Sequence, residues 1–71
     1  MEKKKKIFEV RLAGELELVF ELVPYTPRKN DFERGLRYRL LVNDIDTGYK
    51  FSTITEARLW LSYGKNYLMY L

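Results

Sequence analysis

Apolar and polar side chains alternate through much of the first two-thirds of the chain. Between Ile7 and Leu12, the apolar Phe8, Val10 and Leu12 alternate with Glu9 and Arg11. Between Glu15 and Val23, Leu16, Leu18, Phe20 and Leu22 alternate with Glu17, Val19 and Glu21. Between Leu36 and Asn43, Leu36, Tyr38, Leu40 and Val42 alternate with Arg37, Arg39 and Leu41. A period of two is the period of a strand with one buried face. A short fourth run, Tyr49-Lys50-Phe51, follows the turn-forming residues Asn43 to Gly48. Four strands are predicted.

Parity then sets the turns. The inward residues of the first three runs are even-numbered, so their connections should hold odd numbers of residues. Ala13-Gly14-Glu15 would pair Leu12 with Leu16, Val10 with Leu18 and Phe8 with Phe20. The segment from Pro24 to Gly35 would pair Leu22 with Tyr38, Phe20 with Leu40 and Leu18 with Val42. Arg11 would then face Glu17, and Glu21 would face Arg39, as stabilising opposite-charge pairs. The fourth run turns odd residues inward, so Asp44 to Thr47 should form an even, four-residue connection.

A helix follows. Thr53-Ile54-Thr55-Glu56 is a capping box, in which the Thr53 hydroxyl accepts a backbone N–H and Glu56 reaches back. At helical spacing Ile54, Ala57, Trp60, Leu61 and Gly64 share one face, with Trp60 expected over the paired second and third strands. Leu59 and Tyr63 fall on the opposite side. Gly64 is the expected stop. Tyr67 to Leu71 would either add an edge strand or lie along the seam between helix and sheet. The predicted fold class is α+β: a four-stranded antiparallel meander (β-β-β-β-α) with one C-terminal helix packed on one face.

Length confines this to one domain. A chain of 71 residues buries only about 60% of its unfolded surface, so it needs an efficient core or a partner. Its 46% hydrophobic and 15% aromatic content supplies core material. The net charge of +3 resides in residues 1–6, with four Lys against one Glu; residues 7–71 are balanced. The expected organisation is a flexible basic arm over 1–6 and a single domain over 7–71. The uncharged stretches reach about six residues, far short of the roughly 20 a membrane span needs, so a cytoplasmic chain without membrane association is expected. Gln is absent with Cys and His, while Lys, Arg and Glu make up 20 of the 71 residues. That bias is typical of thermophile proteins.

The chemistry available is narrow. Without Cys or His there is no thiolate, imidazole ligand or His-based triad. Asp44-x-Asp46-x-Gly48 matches only the first acids of a calcium loop and reads as a hairpin turn. No catalysis, cofactor or metal is expected.

Two kinds of contact surface compete. Ile7, Val19, Val23 and Leu41 share the outward sheet face with charges, and Leu59 and Tyr63 lie on the back of the helix. The first expectation is a protein-interaction module using Val19, Val23, Leu41, Leu59 and Tyr63. A homodimer is the commonest such arrangement. The alternative is nucleic-acid binding by Lys3, Lys4, Lys5 and Lys6 with Arg28, Lys29, Arg34, Arg37 and Arg39, where Tyr25 and Phe32 could stack on bases. The stretch from Gly48 to Leu61 is also loosely similar to strand-to-helix corners of small nucleic-acid modules. Arm-type recombinase domains and the hybrid-binding domain of ribonuclease H are examples. The likeness is limited to a strand, a capped helix and an aromatic anchor, and it carries no residue assignments.

Overall fold

All four alternating runs lie in one antiparallel sheet with strand order β1-β2-β3-β4. The computed structural model describes residues 3–71. Its strands are β1 (Lys5–Leu12), β2 (Glu15–Pro24), β3 (Tyr38–Val42) and β4 (Ile45–Phe51). Helix α1 (Ile54–Ser62) and a terminal 3₁₀ helix (Asn66–Tyr70) follow. This is the expected α+β meander. Among the described residues no helix is long and apolar enough to cross a membrane.

The central residues turn inward as the pattern requires, but Leu12, Leu16 and Tyr49, also expected inward, are about half exposed. The register departs from the expected one in all three strand pairs. Phe8 pairs with Phe20 and Val10 with Leu18, as parity requires. Leu12, however, pairs with Glu15 across a two-residue turn, and Arg11 meets Leu16 rather than Glu17. Ala13 and Gly14 both hold positive φ, 53° and 81°, as the tightest hairpin turns demand. A bulge that leaves Glu17 without a partner reconciles this short turn with the inward face. A second bulge leaves Ile7 unpaired on β1, and Ile7 joins the core instead of the outward face.

Between β2 and β3 the pairing is offset by two residues from the expected one. Phe20 faces Val42, Leu22 faces Leu40, and Pro24 faces Tyr38, so Glu21 lies opposite Leu41 and Val23 opposite Arg39. An even shift preserves the buried face. Asn43 pins it: its backbone N–H donates to Val19 O (2.9 Å), its Oδ1 accepts from Val19 N (2.9 Å), and its Nδ2 donates to Glu17 O (3.1 Å). Asn43 and Asp44 form a second two-residue turn, again with positive φ at both positions. The connection is even-numbered but shorter than four residues. Thr47 to Tyr49 then bulge opposite Leu40, whose carbonyl accepts from Thr47 Oγ1 at 2.9 Å.

The core lies between the sheet and the two helices. Phe20, Leu22, Leu40, Ala57 and Leu61 are buried at its centre, with Leu18, Val42 and Phe51 around them. Thr53 caps α1 by accepting from Glu56 N (3.1 Å), while the Glu56 carboxylate accepts from the Ser52 hydroxyl (2.7 Å). Trp60 is half-buried and packs at a tilt against Tyr49 and Phe51, with centroids 4.5 and 5.5 Å away. It therefore sits over β4 rather than over the β2–β3 pair. The 3₁₀ helix occupies the seam, placing Tyr67 on Phe8 (5.4 Å) and Tyr70 on Phe20 (5.7 Å). At the end of α1 the left-handed residue is Lys65 (φ 52°), one beyond the expected stop. Gly64 is required for space: a Cβ there would lie 2.6 Å from Asn66 Nδ2 and 2.7 Å from Trp60 O. Those two atoms bond each other at 2.7 Å and close the helix end.

Candidate functional site

The outward sheet face carries three of the expected interaction residues, yet little of their surface reaches solvent. Val23 is 0% exposed and Leu41 5%, while Val19 is half-buried. Register surrounds them with long charged side chains. Arg39 lies opposite Val23, and Leu41 is flanked by Glu21 and Asp46. Such side chains cover apolar surface with their stems while the charged ends stay wet.

Those ends are paired: Lys4 with Asp44 (2.5 Å), Lys6 with Glu9 (3.1 Å), Arg11 with Glu9 (3.3 Å) and Arg39 with Asp46 (2.9 Å). Hydrogen bonds from Lys6 and Arg11 hold the Glu9 carboxyl below its ordinary pKa. Lys4 does the same for Asp44. Asp46 is lowered by the Gly48 backbone N–H and then by Arg39. The two aspartates of the partial calcium-loop pattern thus hold separate partners, and Asp46 Oδ1 closes a turn onto Gly48 N at 2.8 Å.

The helix back differs. Leu59 is 45% exposed and Tyr63 82%. The C-terminal segment leaves them uncovered, since it lies on Phe8 and Phe20.

The loop from Tyr25 to Arg37 is tied down by the sheet and by its own side chains. At its base Tyr25 N donates to Arg37 O (2.8 Å) and Arg37 N to Phe51 O (3.0 Å), continuing the β2-β3-β4 ladder. Within it, Glu33 N donates to Asn30 Oδ1 (2.9 Å), Leu36 N to Glu33 O (3.1 Å) and Asn30 N to Arg28 O (2.9 Å). The Tyr25 hydroxyl donates to the Glu33 carboxylate, which also accepts from Asn30 Nδ2 (3.4 Å). The Tyr25 bond chiefly lowers the Glu33 pKa and raises that of Tyr25. The Glu33 carboxylate thus gathers the first half of the loop, and the residue's backbone carbonyl accepts from Leu36.

The same folding collects cations. Arg28, Lys29, Arg34 and Arg37 line one concavity of about 470 Å³. Arg28 also lines a second, of about 490 Å³, with Arg39 and Lys50. Lys50 Nζ lies 5.1 Å from the centroid of the Tyr25 ring, within cation–π range. Loop acids compensate part of the charge: Arg34 meets Asp31 at 3.5 Å and Arg28 meets Glu33 at 3.9 Å. Lys29 and Arg37 have no carboxylate partner among the described residues. Phe32 projects from this loop at 95% exposure.

Five of the nine expected nucleic-acid contacts are therefore brought together in and beside the loop. The N-terminal lysines are arranged differently from a free arm. Residues 1 and 2 of the expected arm lie outside the described residues. Lys5 and Lys6 belong to β1, opposite Leu22 and Glu21, because β2 is long enough to pair with them. Lys4 and Lys6 are ion-paired within the protein. Lys50 is a cation that sequence reasoning missed; only the β3–β4 register, which sets it opposite Arg39, brings it to the site. Searches of protein-family models, curated proteins and solved structures find no match to this chain.

Proposed function

We propose that this chain is a small non-catalytic binding module that takes nucleic acid on the basic side of its 25–37 loop. The convergence of Arg28, Lys29, Arg34 and Arg37 on one concavity, continued through Arg28 to Lys50, carries the reading. Cations spaced along a groove follow a phosphate backbone and gain free energy by releasing its counterions. Among the described residues, Lys29 and Arg37 have no carboxylate to give up first. The experiment is a titration of the full chain with a fluorescent oligonucleotide over a salt series. Log affinity should fall linearly with log salt, with a slope equivalent to several phosphate contacts. No binding at low salt, or binding indifferent to salt, would refute the reading.

The exposure of Leu59 and Tyr63 favours a second reading, a protein-interaction module that dimerises through the back of α1. Its measurement is solution mass. A dimer that Leu59→Glu converts to monomer would support it, whereas a monomer at high micromolar concentration would remove the homodimer.

A further inference from the structure

Among the described residues, Phe32 is the most exposed of the large hydrophobics, at 95%, and it belongs to no core cluster and enters no ring contact. Its neighbours in sequence are nonetheless held. Asp31 pairs with Arg34, and Glu33 is drawn onto Tyr25, Asn30 and Arg28. The ring is thus presented to solvent at the loop tip, beside a Glu33 held by three partners.

An isolated phenyl group in water contributes nothing to folding. The side chains sharing its loop tip are Arg28, Lys29, Asp31 and Arg34, and those of Arg28, Asp31 and Arg34 are 83–91% exposed. An apolar partner pocket would have to cover those charges with the ring. A strand of nucleic acid meets both features, because phosphates answer the cations and a base offers a flat π face to the ring. In a duplex the base faces are stacked away, leaving only edges and phosphates accessible.

We infer that Phe32 is a base-stacking residue and that the ligand is an unpaired stretch of nucleic acid. This rests on the nucleic-acid reading above and narrows it to one form of ligand. Stacking is largely indifferent to base identity, so little sequence preference should accompany it.

The test compares three probes of equal phosphate number on the full chain: oligothymidylate, an abasic strand and a hairpin duplex. Phe32→Ala should weaken oligothymidylate binding about tenfold with an unchanged salt slope, while Phe32→Tyr should restore it. The same alanine variant should leave the abasic and duplex affinities unaltered. Because the ring is outside the core, both variants should keep the wild-type melting temperature. Equal losses on all three probes, or none on oligothymidylate, would overturn the stacking role while leaving nucleic-acid binding in place. If the wild-type protein binds none of the probes, both readings fall. A fall in solution mass on Phe32→Ala would make Phe32 a protein-contact residue and also overturn the inference.

Discussion

The outward sheet face and the 25–37 loop both contain numerous charged groups, but they use them differently. On the sheet, Lys4, Lys6, Arg11 and Arg39 each meet a carboxylate within 3.3 Å, and beneath this layer Val23 and Leu41 are dry. In the loop, among the described residues, acids partner only Arg28 and Arg34, at 3.9 and 3.5 Å, and Lys29 and Arg37 have no carboxylate. Charges that roof apolar residues belong to the architecture. Charges that line a concavity without carboxylate partners are available to a ligand. Stability and binding should therefore respond to different cations.

The largest expected effect comes from beneath the roof. Leu41→Ala should cost about 2–3 kcal/mol in denaturant unfolding, near the low end for buried leucines, because flexible side chains above it can settle into the gap. A cost below about 0.5 kcal/mol would mean that the outer layer buries nothing of consequence.

Next comes the exchange between the two regions. Arg39→Ala should lower stability by about 1 kcal/mol, through the lost ion pair and the cover it gives Val23. Lys29→Ala should leave stability within about 0.5 kcal/mol of wild type, but reduce the salt slope of oligonucleotide binding by about one phosphate contact. Reversal of those two outcomes would erase the distinction.

The smallest effect is set by pH. The carboxyl groups of Glu9, Glu33, Asp44 and Asp46 all have folded pKa values below their ordinary ones. A lowered folded value contributes stability that is complete above the unfolded pKa and is lost as pH falls through the folded one. Stability should thus be level at neutral pH and decline in acid, less steeply in 0.5 M salt, where exposed pairs are screened to within about 4–5 Å. Glu33→Gln should remove part of that decline, and an unchanged acid profile would mean that Glu33 does not hold the loop.

The central core residues of β2 and β3 were legible in the sequence, because alternation survives an even register shift, whereas Ile7, Leu12, Leu16 and Tyr49 were misplaced near bulges and strand ends. Strand partners were not legible. Ala13 gives no sign of the positive φ that makes its turn two residues long, and the bulges at Ile7 and Glu17 have no compositional mark, whereas Gly48, at φ 86°, marks the one from Thr47 to Tyr49. The loop cations were visible as a cluster, but their pairing was not. Whether a cation is available depends on partners as distant as Asp44 is from Lys4, and Lys50 joins the site only through its register with Arg39. Val23 and Leu41 read as exposed because a sequence does not show that neighbouring charges will close over them.

Backbone amide chemical shifts, followed during titration with oligothymidylate, test the binding surface most directly. Perturbations should concentrate in residues 25–37, with Arg39 and Lys50 beside them, and leave Leu59 and Tyr63 unmoved. Perturbations centred on α1, or none at saturating oligonucleotide, would contradict the assignment of the loop as the ligand surface.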